Sequence, residues 1–203
     1  IDFDSCQPTI TVVPVTPDPR HEPVSEVTFI ASEPIVGFDL ADLRLTRRTD
    51  DAVDVPLVDI PGVSLTSDDR QNFVLSGLES LTKNSGQYSI ELIGVAAAIV
   101  DDDGNPLAPN LGGDWNWTMR PGDASEDCCF ESSDLVRVFQ KAKYEKRGPA
   151  KWSEGDWNLD GFFDSSDLVF AFQADSYERC ENGPGDPLAR LADQAIAALT
   201  DED

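Results

Sequence analysis

The sequence predicts a multidomain chain: an all-β antiparallel sandwich over residues 9–120, then a small all-α module of two loop-helix repeats over residues 121–180. Residues 1–8 are expected to close an upstream region, and residues 181–203 to form a turn and a helical tail. Three observations carry this reading. Short alternating apolar runs, broken by turn residues, continue to Met119. A loop-plus-helix text then occurs twice, DASEDCCFESSDLVRVFQKAKYE from Asp123 and DWNLDGFFDSSDLVFAFQADSYE from Asp156. Finally, the net charge of −24 is spread along the chain, with −11 from residue 121 onward and −13 before it.

The strands expected in the first part are residues 10–13, 27–31, 43–46, 63–66, 73–76, 88–93 and 115–119. Seven short strands without a convincing helical period suggest a sandwich. Asp101, Asp102, Asp103 and Gly104 read as a hairpin turn, since no carboxylate follows at a twelfth position and Gly104-Asn105 favours a tight turn. Trp115 and Trp117 share a face of the last strand, where core or junction packing is expected ahead of stacking on sugar rings.

The duplicated part carries the chemistry. In the second copy Asp156, Asn158 and Asp160 occupy loop positions one, three and five, Gly161 position six, Asp164 position nine and Asp167 position twelve. Phe162, at seven, offers its backbone carbonyl. This is the hard-oxygen ladder of an EF-hand-type calcium loop, with glycine at the sharp turn. Asp134 and Asp167 lie 33 residues apart, and ESSDL is answered by DSSDL. The first copy keeps Asp123, Ser125, Asp127, the Cys129 carbonyl, Glu131 and Asp134, but puts Cys128 at position six. A non-glycine residue at positive φ costs about 1 kcal/mol, so two Ca2+ sites are expected, the second the stronger. Four carboxylates crowd each loop, which couples metal binding to folding. The helices after the loops are too short to stand alone, and packing the copies together is expected to bury their apolar residues.

On these motifs, D-x-N-x-D-G with D-L at positions twelve and thirteen, residues 122–180 resemble the type I dockerin modules of secreted bacterial proteins. The resemblance implies a helical module that binds calcium through both loops and docks to a cohesin-like or other extracellular domain. It places recognition at Ser132 and Ser133 in one half and Ser165 and Ser166 in the other, allowing two docking orientations. Later recognition positions map to Phe139, Gln140, Phe172 and Gln173, where cellulosomal dockerins often carry basic residues. It also implies antiparallel main helices, which would bring Cys180 back to the first loop; a Cys128–Cys180 disulfide is expected, with adjacent Cys129 as the rival partner. Upstream, VTFIASEPIVGFDLADLRLTR and YSIELIGVAAAIVDDDGNPLAP resemble bacterial Ig-like repeats, which implies a spacer or adhesive stalk.

Composition narrows the partners. A strongly acidic chain disfavours nucleic acid and anionic membranes, and no apolar run is long enough to span a bilayer. The four cysteines suit an oxidising, extracellular or cell-surface setting in a bacterium, and zinc is disfavoured because they lack C-x-x-C pairs and His21 is the sole histidine. Ile1 in place of Met suggests the C-terminal end of a longer precursor. After Cys180, LARLADQAIAALTDED is expected to form a helix begun by Asp186-Pro187. No nucleophile context, phosphate loop or zinc motif is present, so the chain itself is expected not to be an enzyme. The leading function is calcium-stabilised attachment or assembly. One alternative is the accessory region of a secreted carbohydrate-active or other hydrolytic enzyme with its catalytic, carbohydrate-binding part upstream. Another is a calcium-rigidified adhesin stalk.

Overall fold

A computed structural model describes residues 7–93, 98–108 and 115–180. Packing divides them into two compact units. The first holds the described residues of Ile1–Thr16, Pro23–Lys83 and Gln87–Trp117; the second holds Pro17–Glu22, Asn84–Gly86 and residues 118–180. Cys6 and the expected C-terminal helix lie outside the described residues.

All seven strands expected from alternation form: β1 (Ile10–Val12), β2 (Glu26–Ala31), β4 (Leu43–Arg48), β6 (Ser64–Thr66), β7 (Asn72–Ser76), β8 (Gly86–Leu92) and β10 (Trp115–Met119). Three more accompany them, β3 (Ile35–Val36), β5 (Ala52–Val55) and β9 (Val100–Asp101). They make two four-stranded sheets, ordered β1-β2-β7-β6 and β10-β8-β4-β5, and a two-stranded pair, β3-β9. Register follows burial. Val27 faces Leu75 and Phe29 faces Phe73 across β2 and β7, while Leu45 faces Ile90 across β4 and β8; all six are buried. A one-residue slip would turn each of these side chains to the opposite face. Phe29 meets Phe38 and Trp115 edge-on at 5.5 and 5.6 Å, and buried Trp117 stacks on Tyr88 at 5.5 Å, so both tryptophans pack within the unit.

Residues 101–105 form the expected turn. Asp101 accepts hydrogen bonds from the backbone N–H of Asp103 and Asn105 and from Asn105 Nδ2, at 2.8 to 2.9 Å, and Gly104 takes φ 85°. The carboxylate thus closes its own turn.

The C-terminal part corrects the predicted fold class. The chain is mostly β, with ten strands in three sheets against two short α-helices among the described residues, and no separate all-α module of two calcium loop-helix repeats follows the sandwich. The helices, α1 (Ser132–Gln140) and α2 (Ser165–Gln173), have nine residues each. Apart from the ends of β8 and β10, the rest of the described second unit is loop, a three-residue 3-10 turn at Trp152–Glu154, and two isolated parallel bridges, Arg20 to Met119 and Phe130 to Tyr177. The physical reason is punctuation. Ala142 and Glu145 after α1, and Asp175 and Glu178 after α2, take left-handed φ of 51° to 60°, which stops each helix after two and a half turns.

The two halves of this unit are paired reciprocally. Glu145 donates its backbone N–H to the Phe163 carbonyl at 2.8 Å, and Glu178, 33 residues later, donates to that of Phe130 at 2.7 Å. Tyr144 packs edge-on to Phe163 at 5.2 Å, and Tyr177 to Phe130 at 5.1 Å. The core contains matched pairs, Phe130 with Phe163, Val138 with Ala171 and Ala124 with Trp157, along with Trp152. Burial of the helices is incomplete, contrary to expectation: Val136, Phe139, Val169 and Phe172 stay exposed.

Candidate cation-binding loops

The two acidic loops, residues 123–134 and 156–167, follow one backbone path. Position four is left-handed in both, Glu126 at φ 60° and Leu159 at φ 61°. So is position six, Cys128 at φ 68° and Gly161 at φ 95°. Before each loop stands a glycine at φ above 100°, Gly122 or Gly155, where a Cβ would run into the ring of Phe130 or Phe163. Glycine is required there by both conformation and space.

Matching hydrogen bonds define the interior of each loop. At position one, Asp123 Oδ2 accepts from the backbone N–H of Cys128 at 2.9 Å, and Asp156 Oδ2 from that of Gly161 at 3.0 Å. At position five, Asp127 and Asp160 accept from the N–H of residue seven, both at 3.0 Å. At position twelve, Asp134 and Asp167 accept from the N–H of position nine at 3.0 Å, and from that of position three at 3.0 and 3.1 Å. Position twelve is also the third residue of α1 or α2, so the same carboxylate caps the helix and turns into the loop.

This arrangement concentrates negative charge out of water. Asp123, Asp134 and Asp167 are 0% exposed and Asp156 is 4% exposed. Burial pushes the Asp123 carboxyl up to about 6, with added repulsion from Asp134 and Asp127. Burial likewise pushes Asp156 up to about 6, with repulsion from Asp167 next. Asp134 and Asp167 are also raised, chiefly by burial. Asp164 moves the other way, held down by the hydroxyl and N–H of Ser166. Among the described carboxylates of the loops, one oxygen is left over: Asp156 Oδ1 is buried and accepts no hydrogen bond. A buried, unpaired carboxylate oxygen is costly, and a cation is a partner that removes the cost.

The other ladder residues lie on these loops. Ser125 Oγ donates to Asp123 Oδ1 at 3.2 Å, and Asn158 Nδ2 donates to Asp160 Oδ2 at 3.0 Å. Phe162 and Cys129 stand at position seven, the first exposed and the second buried in a disulfide. The donors in both loops are oxygen only, the chemistry that suits calcium and magnesium. Among the described residues, the one group of three ligand atoms from His, Cys, Asp or Glu within 4.8 Å of one another is Cys129, Glu131 and Cys180. It is not a metal set, because its two sulfurs are bonded to each other.

That bond also corrects the expected pairing. Cys129, not Cys128, joins Cys180. Cys129 follows the left-handed turn at position six and is buried toward the end of the unit; Cys128, on the turn itself, directs its thiol to Asn84 Oδ1 at 3.6 Å.

The residues expected to recognise a partner are all exposed on α1 and α2, at Ser132, Ser133, Phe139, Gln140 and at Ser165, Ser166, Phe172, Gln173. Several already have work within the unit. Ser133 Oγ donates to Glu131 Oε1 and Ser166 Oγ to Asp164 Oδ1, both at 2.7 Å, and Ser132 Oγ pairs with the Tyr177 hydroxyl at 2.8 Å. Position eleven thus steadies position nine in each loop. Gly122, Gly155, Phe130, Phe163, Tyr144 and Tyr177 were missed as parts of the site, although extending the 33-residue comparison beyond the loops finds every one of them. Asn84, which meets the Cys128 thiol, carried no signal at all. No protein-family model matches the chain, and no curated protein matches it.

Proposed function

We propose that the second unit is a calcium-dependent attachment or assembly module that serves a secreted or surface-exposed bacterial protein as dockerins do, with the β unit as its spacer. The observation that carries this reading is the matched set of buried carboxylates at positions one and twelve of both loops, with Asp156 Oδ1 lacking any protein donor. Asp156, Asn158, Asp160, Asp164, Asp167 and the Phe162 carbonyl would hold one cation. Asp123, Ser125, Asp127, Glu131, Asp134 and the Cys129 carbonyl would hold the other. Bound calcium supplies the positive charge that lets these groups stay ionised while buried. The partner face is the exposed side of α1 and α2, where Val136 and Val169, at 55% and 57% exposure, flank Phe139 and Phe172. Exposed apolar side chains at equivalent places on two helices suit a partner domain in the cohesin manner.

Calorimetric titration of the full chain with calcium tests the cation reading. Two binding events and a raised Tm are expected; absence of heat and of any Tm change overturns it. Capture from an extracellular fraction in calcium, lost in EDTA and lost in a Phe139→Ser, Phe172→Ser variant, tests docking. The engagement of Ser132, Ser133 and Ser166 within the unit favours a second reading, a calcium-rigidified stalk without a docking partner. Equal capture by the variant and the unsubstituted chain would support that one.

A further inference from the structure

The chain has 15 lysines and arginines against 39 acidic residues, and six of those cations fall within residues 137–151, where Glu145 is the one acidic residue. Arg137, Lys141, Lys146, Arg147 and Lys151 are exposed, and none forms an ion pair among the described residues. Lys143 is paired, with Glu154 at 3.9 Å. Helix chemistry does not account for this cluster. A basic side chain complements the dipole at a helix C-terminus, yet α2 ends at the same place in the repeat with Phe170 and Ala174 where α1 has Arg137 and Lys141, and with no basic residue in its last turn. Nor does the duplication carry it, since residues 170–184 hold Arg179 alone against Asp175, Glu178 and Glu181. Two of the unpaired cations line a groove. Between the end of α1 and the 3-10 turn at Trp152–Glu154 is an open space of about 550 Å³ lined by Arg137, Gln140, Lys141 and Ser153. Every lining side chain is polar, two are cations and none is acidic.

We propose that this groove is an oxyanion site that takes a short acidic saccharide, with Arg137 and Lys141 on its carboxylate or sulfate group and Gln140 and Ser153 on its hydroxyls. Its volume falls within the range of about 300–1,000 Å³ typical of small-molecule sites. A guanidinium can hold a planar or tetrahedral oxyanion through two parallel N–H bonds, and an ammonium adds a point charge beside it. An amide and a hydroxyl both donate and accept, which is what sugar hydroxyls require. Lys146, Arg147 and Lys151 lie on the segment that joins α1 to the 3-10 turn, and their charge favours the approach of an anion to this part of a chain that otherwise repels it. The same repulsion sets the ligand's length. A field screened within about 8 Å at physiological salt reaches one or two sugar rings, and a long polyanion would extend over acidic surface. None of the four lining residues is a ligand of the acidic loops, so the inference stands apart from the cation reading.

Calorimetric titration of the full chain in calcium with trigalacturonate and with a heparin-derived tetrasaccharide tests this, with cellotriose as the neutral control and hexaglutamate as an acidic peptide. Binding of an acidic saccharide at low salt, lost in about 0.5 M NaCl and absent for cellotriose, is expected. Preference between the two saccharides tells carboxylate from sulfate. Arg137→Gln with Lys141→Gln is expected to weaken binding by about 10-fold or more, and Ser153→Ala by about 2- to 10-fold. Calcium titration of the double variant is expected to match that of the unsubstituted chain, which shows that the unit is folded. Failure of both acidic saccharides to bind overturns the proposal, and so does equal binding by the double variant, which would place the anion on loop-bound calcium. Hexaglutamate bound as tightly as the saccharides also overturns it and makes the groove a site for an acidic protein segment. The calcium titration reads the loops by themselves, so a failure here and a failure of the cation reading are told apart.

Discussion

The loops at residues 123–134 and 156–167 share left-handed turns at positions four and six, a glycine before position one, and the same carboxylate-to-backbone hydrogen bonds. They differ in what surrounds that frame. The first has Cys128 at six, a disulfide at seven and an Asp123 Oδ1 that accepts from Ser125 and Asp127; the second has Gly161, an exposed Phe162 and an unsatisfied Asp156 Oδ1. The comparison teaches that alternate acidic residues, a preceding glycine and a capped helix set the path of such a loop, while the residues at positions six and seven can differ without changing it.

The most severe way to break the comparison is to remove the twelfth ligand from each half in turn. Asp167→Asn is expected to weaken the second site by roughly two orders of magnitude, because it takes away a buried charge at the ligand nearest the helix. Asp134→Asn should do the same to the first site alone. Calcium calorimetry on the pair checks this, and cross-effects larger than the direct ones would show that the loops act as one site.

Next in size is the disulfide, which joins position seven of the first loop to Cys180 beyond α2 and has no counterpart at position seven of the second loop. Cys180→Ser is expected to cost about 2–4 kcal/mol, since the bridge spans 51 residues of chain. Cys128→Ser should leave the bridge intact. Denaturation of both variants, with peptide mapping of the Cys129–Cys180 link, distinguishes them; equal losses would place the bridge at Cys128.

Acidity tests where the halves agree. Asp123 and Asp156 are both raised to about 6 in the folded protein, against about 3.9 for an unfolded aspartate. Between these values the folded state holds more protons than the unfolded one, so this stabilisation is full below about pH 4 and is lost as pH rises through about 6. Without divalent cations, Tm should therefore rise as pH falls from 7 toward 4.5. Asp123→Asn and Asp156→Asn should each flatten the trend by a similar amount, and a flat profile in the unsubstituted chain would contradict the burial of these carboxylates. With calcium, affinity should fall over the same interval because protons compete for the ligands.

The smallest expected effect makes the halves more alike. Cys128→Gly should relieve up to about 1 kcal/mol of left-handed strain at position six, read as a modest rise in Tm of the cation-free protein. A fall instead would mean that the contact between the Cys128 thiol and Asn84 outweighs the strain.

Much of this was legible in the residues. The seven strands with alternating burial were, whereas β3 and β9 have two residues each and the largely exposed β5 offers no alternation to find. The matched course of the two acidic loops was legible because the 33-residue repeat gives them the same residue types at the same positions. The extent of helix was overestimated, because the left-handed turns at Ala142, Glu145, Asp175 and Glu178 fall on residue types that do not announce them. The disulfide partner was ambiguous between neighbours, since Cys128 and Cys129 differ in direction and not in spacing.

By itself, then, the sequence determined the alternating strands and the paired acidic loops, features set by local periodicity and by a 33-residue repeat. Only the tertiary structure decided that Cys129 meets Cys180, that the Cys128 thiol turns to Asn84, and that Val136, Phe139, Val169 and Phe172 stay exposed. Those outcomes depend on which distant segments pack together, and packing among residues far apart in the chain leaves no periodic trace along it.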